Sequence, residues 1–213
     1  MSILRSLFIV VFIGWLIGFS GNVQFVQAAE IAGQVIRIKN TVTTVRGNET
    51  QVLGVGAIVY IGDTIKTGSA GRIQMRMLDQ ATITLGGSSK FKIEDYLFDR
   101  EKGVGKVVMS IGTGTFKAVS GGISSLQNSS FALKSPVATI GIRGTEFWGG
   151  PINGVYEIAL LKGKAIIIEN SGGRVEITQP GFGTRVTGSN IAPTTPVPWA
   201  PAKLQRAIDT VSF

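Results

Sequence analysis

The sequence predicts an all-β protein: a single twisted domain, β-solenoid-like or a rolled β-sandwich, with a short C-terminal helix. Three observations predict it. From Ile31 onward nearly every segment alternates apolar and polar residues with period two. Glycine supplies 29 of 213 residues, about twice its usual share, and charged residues only 16% against a usual share of roughly 25%. No helical period of ten or more residues appears before the C-terminal end, which excludes alternating βα units. With 44% hydrophobic residues, a chain of this length supports one well-buried domain.

The elements follow in order. "MSILR", the apolar "SLFIVVFIGWLIGF" and the small-residue "VQA" before Ala29 have the three parts of a secretory signal peptide, so residues 1–28 are read as a cleaved leader. A retained N-terminal anchor is the alternative. Either way Glu30 onward is expected outside the cytoplasm, periplasmic or secreted, with no stable membrane span after cleavage. Residues 29–189 form the expected domain and 190–213 a proline-rich linker and helix.

"GQVIRIKNTVTTVRG" reads as two strands, and "RIQMRMLDQATITLGG" as a hairpin turning at Asp79-Gln80, with Ile73, Met75 and Met77 on its apolar face. "SGGISSLQNSS", Ser120 to Ser130, reads as a loop between two lobes of sheet. Strands Val155 to Leu161, Lys164 to Glu169 and Arg174 to Thr178 are separated by Lys162-Gly163 and by Asn170 to Gly173. A Pro180-Gly181 turn then precedes a last short strand. The prolines after Asn190 exclude strand pairing there, and Pro201 starts a helix with Leu204, Ala207, Ile208 and Val211 on one face. Too short to stand alone, that helix must dock.

Composition removes most chemistry. The chain has no histidine and no cysteine, and so no disulfide, no thiol nucleophile, no imidazole base and none of the usual zinc ligands. "KIEDYLFDREKG" clusters Glu94, Asp95, Asp99 and Glu101 but interleaves them with cations and lacks a calcium-loop glycine, so it reads as a solvated turn. "GVGK" and "GVGAIV" lack the remaining residues of phosphate-binding fingerprints. No enzyme activity, cofactor or metal is expected.

Of the formal charge of +8, Arg5 accounts for one unit, leaving +7 on the expected mature chain. Arg37, Lys39, Arg72, Arg76, Lys90 and Lys92 stand singly along strands and read as a solvated face. Nucleic acid does not suit an exported chain. A cell-wall glycan is the alternative to an envelope protein as partner, through Trp148, Tyr156 and Trp199 as exposed aromatic candidates.

Two stretches stand out. "GDTIKTG", Gly62 to Gly68, and "SPVATIGIRGTEF", Ser135 to Phe147, mix glycine and charge into apolar, β-branched runs. Pro136 holds Ser135 extended, and Gly141 and Gly144 suit a bulge or a close backbone approach. Arg143 is expected to pair with Glu146 or Asp63 in a tight corner, which makes Asp63, Arg143, Thr145 and Glu146 the motif residues, structural or partner-facing. With the Asp79 hairpin, these stretches strongly resemble the FecR domain over roughly Ile31 to Val186. The resemblance implies a twisted, solenoid-like periplasmic lobe that helps relay a signal from an outer-membrane receptor to a sigma factor. Because only "MSILR" precedes the apolar stretch, what is expected to carry over is the domain and its compartment, giving a non-enzymatic protein-binding, scaffolding or sensory module.

Overall fold

The computed structural model describes residues 29–213; the expected signal peptide lies outside the described residues. The strands are β1 (Ile31–Lys39), β2 (Val42–Arg46), β3 (Glu49–Val52), β4 (Ile58–Tyr60), β5 (Thr64–Thr67), β6 (Arg72–Met77), β7 (Thr82–Leu85) and β8 (Lys90–Asp99). They continue as β9 (Val104–Thr113), β10 (Phe116–Val119), β11 (Asn128–Lys134), β12 (Thr139–Ile152), β13 (Val155–Asn170), β14 (Gly173–Ile177), β15 (Phe182–Val186) and β16 (Val197–Pro198). A 3₁₀ turn spans Gly122–Ser125 and the helix α1 spans Pro201–Asp209. The fold is all-β with one short C-terminal helix. No helix among the described residues is long and apolar enough to cross a membrane.

All strands belong to one sheet, whose main path runs β3-β2-β5-β8-β9-β11-β12-β10-β7-β6-β1-β4. Chain length alone requires this path to curl. Flat, its eleven steps of about 4.8 Å would hold β3 and β4 roughly 50 Å apart. The link from Val52 to Ile58 reaches only about 20 Å. The sheet therefore rolls, bringing its arms β3-β2-β5-β8-β9 and β10-β7-β6-β1-β4 over a shared core.

Alternation puts Ile65, Ile73, Met75, Phe91 and Phe116 from both arms into that core, each fully buried. The two arms meet through the β11–β12 hairpin. β11 runs parallel to β9, and β12 runs antiparallel to β10, so the hairpin is wedged between strands that precede it in sequence.

Several local expectations change. Lys162-Gly163 does not separate two strands; β13 runs unbroken from Val155 to Asn170, absorbing the extra residue Leu161 as a bulge opposite Glu146 and Phe147. Asn128–Ser130 are strand rather than loop, because β9 offers them a parallel partner. Glu94 and Asp95 lie in β8, leaving Arg100–Gly103 as the turn. Pro198 does join the sheet, opposite Phe182, as an outer-edge position where its missing N–H costs no ladder bond.

The helix docks where neighbouring β12 residues part. Phe147 points into the main core, edge-on to Phe116 at 5.5 Å, while Trp148 points to the opposite face. There Trp148 packs with Ile152, Ala159, Trp199, Ala207 and Val211 in a second, smaller core. Its indole Nε1–H donates to Thr210 Oγ1 at 3.0 Å. Pro201 occupies the first turn of α1, where a missing N–H is harmless.

Candidate functional site

The Gly62–Gly68 stretch builds a clamp. Tyr60 to Asp63 form a tight turn with Gly62 at φ +91, a conformation that strains any residue with a Cβ, and the Asp63 N–H donates to the Tyr60 carbonyl at 3.1 Å. The turn drives the Asp63 side chain inward to complete burial. Its carboxylate accepts from Arg46 Nε at 2.7 Å, from Arg46 Nη2 at 2.9 Å and from the Tyr60 N–H at 3.0 Å. The Arg46 guanidinium also stacks on Tyr60, 3.9 Å from the ring centroid. Hydrogen bonding to Asp63 pushes the Arg46 pKa further up. At the other end, Thr67 Oγ1 donates to the Gly86 carbonyl at 2.7 Å and accepts from the Ser89 N–H at 2.8 Å.

The second stretch is a seam. β11 and β12 pair only at Leu133–Ile140 and Lys134–Thr139 and then part, β11 staying with β9 and β12 turning to β10 from Glu146 onward. Gly144, at φ +58, makes the change of direction. Gly163 across the ladder must remain glycine: at φ +104, an added Cβ would lie 2.3 Å from the Gly144 carbonyl oxygen.

The sequence-predicted residues therefore separate. Asp63 pairs with Arg46, not Arg143. Glu146 accepts from Lys117 Nζ at 2.9 Å, not from Arg143. Buried Thr145 exchanges backbone bonds with Ser120, its N–H donating to Ser120 Oγ and its carbonyl accepting from the Ser120 N–H, both at 2.9 Å. Arg143 is exposed and makes no ion pair among the described residues. The expected buried corner pair is thus replaced by an unengaged cation: the bend at Gly144 turns Arg143 outward before Thr145 turns in.

Beneath the parting lies a cavity of ≈ 340 Å³. Ile83, Val107, Met109, Ala118 and Ile123 make an apolar floor, Ser124, Gln127, Ser129 and Ser130 add polar groups, and Arg143 lines it from its exposed position. Asp79 ties the lining together. Its carboxylate accepts from the Ala81 N–H at 2.9 Å, from the Ile123 N–H at 3.1 Å and from the Tyr96 hydroxyl, and its carbonyl accepts from the Gly122 N–H at 2.7 Å. Burial, with the bond to Asp79, raises the Tyr96 pKa far above that of a free phenol. Sequence reading placed Asp79 only at a hairpin tip, because its partners Tyr96 and Ile123 are distant in the chain. The site offers apolar contact and a cation; its buried carboxylate is already occupied by three donors. That is an arrangement for binding.

The aromatic candidates for a glycan surface are corrected. Trp148 is fully buried, Trp199 is 6% exposed and the Tyr156 hydroxyl is enclosed. Second-core packing and the sheet consume all three.

The clamp carboxylate and the seam fall within a stretch that is similar to a known family. The family model described as FecR protein matches residues 63–165, from the clamp carboxylate through the seam. Two crystal structures of a candidate anti-sigma factor from Parabacteroides distasonis ATCC 8503 match with TM-score 0.54 at 10% identity. The match covers 67% of this chain and 62% of theirs, a likeness of fold spanning less than two thirds of those proteins. No curated protein matches the chain at a significant level.

Proposed function

We propose that the protein is a non-enzymatic, exported FecR-domain module of the bacterial envelope that binds a protein partner in a sensory or scaffolding role. One observation carries the reading. Of the four motif residues, Asp63, Thr145 and Glu146 are held by the fold, whereas Arg143 is exposed beside a cavity of mixed apolar and polar lining, with no acidic neighbour engaging it among the described residues. An exposed arginine next to a concavity with an apolar floor and polar sides suits a protein contact, where arginine is enriched among energetically dominant residues. The family match and the anti-sigma-factor-like fold support a signalling context, and the leader-like 1–28 segment supports export.

The test is capture in cells. A photo-cross-linker beside Arg143 should trap one dominant envelope protein, and the purified chain should begin at Ala29. Arg143→Ala should abolish capture while leaving the unfolding free energy within about 0.5 kcal/mol of the parent, as an exposed substitution does. Undiminished capture by Arg143→Ala would remove the reading.

A further inference from the structure

The sheet register assembles a second surface on the other side of the seam. In sequence, Lys66, Lys90, Lys92 and Lys134 are scattered over three strands. In the sheet, Lys66 lies directly opposite Lys90, Thr64 opposite Lys92, Lys92 opposite Ser110, and Ser110 opposite Lys134. The intervening Ile65, Phe91, Ile93 and Leu133 are buried, so all four lysines stand on the solvent face. Directly opposed side chains have Cβ atoms about 5 Å apart, where like charges repel.

That repulsion is relieved only in part within the fold, by Glu94, which pairs with Lys134 and also feels the charge of Lys92. Lys134 is engaged by Glu94 Oε2 at 2.9 Å, but Lys66, Lys90 and Lys92 make no ion pair among the described residues. Lys90, Lys92 and Lys134 line an open concavity of ≈ 500 Å³, together with Thr64, Ser110 and Ser135. We infer that this concavity binds a compact anion carrying two or more phosphate groups.

The surroundings select that chemistry. The cations are lysines, compact point charges suited to phosphate oxygens, and the Thr64 hydroxyl supplies a neutral donor beside Lys92, whereas the Ser110 and Ser135 hydroxyls are held by Glu94 and by the Ala138 carbonyl. Among the described residues no tryptophan, tyrosine or arginine lines the concavity, so it lacks the anchors that dominate protein interfaces. A concave rather than flat surface suits a discrete anion better than a lipid bilayer. The site is independent of the Arg143 surface.

Tripolyphosphate is the probe, titrated calorimetrically into the full-length protein at low and at physiological salt. The expected result is saturable binding, weakened by salt, with a rise in unfolding midpoint. Lys90→Gln/Lys92→Gln should weaken it about tenfold or more, while Lys162→Gln/Lys164→Gln, exposed on β13, should leave it unchanged. The Lys90→Gln/Lys92→Gln protein without ligand should unfold at or above the parental midpoint, since the exchange relieves repulsion. Absence of binding at low salt, or equal losses in both double variants, would overturn the inference. So would binding confined to phosphatidylglycerol vesicles, or to an acidic peptide, with none to tripolyphosphate.

Discussion

Asp63 and Arg46 illustrate how one bond can have two unequal ends. The carboxylate is fully buried, whereas the Arg46 side chain keeps 37% of its surface in water. Removing Asp63 leaves a guanidinium that can hydrate; removing Arg46 leaves a buried carboxylate with only a backbone donor. Asp63→Ala should therefore cost about 2–3 kcal/mol, and Arg46→Ala more, about 3–5 kcal/mol. Denaturant unfolding of both variants reads the order directly, and the reverse order would mean that Asp63 does not depend on this pair. Sequence showed the Gly-Asp turn but not the partner, because Arg46 precedes it by 17 residues on a strand set beside it only by the register.

Tyr96 gives a pH dependence with a definite sign. Burial and the bond to Asp79 raise its folded pKa above the unfolded value of about 10. The folded state thus holds the phenolic proton where the unfolded chain releases it. The resulting stability is intact below about pH 10 and is lost progressively as pH rises above it. Tyr156, raised by burial, acts in the same direction. Denaturation midpoints measured from pH 8 to 11 should fall at the alkaline end, and Tyr96→Phe should flatten that fall while lowering stability at neutral pH.

At the scale of elements, β12 and α1 depend on each other through the Phe147–Trp148 step. Trp148→Ala should remove the main support of the helix, costing about 3–5 kcal/mol. Trp199, packed edge-on to Trp148 at 6.1 Å, should shift to redder fluorescence as it meets water. An unshifted spectrum would show that α1 stays docked without Trp148. The helix itself was legible in the proline and the apolar spacing after it. Its docking face was not: alternation along β12 shows that Phe147 and Trp148 point apart, but not that both sides of the strand are covered.

For the whole molecule, the period-two alternation disclosed the fold class and most strand positions, since those are local properties. It could not disclose that β12 lies between β10 and β11, or that β9 and β11 run parallel, since pairing between distant segments leaves no mark on local periodicity. The lysine surface was hidden for the same reason. Its members look solitary along the chain and become neighbours only across the strands.

The hairpin joining the two arms also has a mechanical meaning. β11 is bonded along its length to one arm, and β12 is bonded beyond its bend to the other. Arg143 sits at the point where the two strands separate, so a pull on its side chain acts at the root of an opening, where ladder bonds yield one at a time. A pull along either strand would instead load many bonds together. β12 stays paired with β13 through this point, Arg143 opposite Ala165, so such an opening is confined to the β11 edge of the strand.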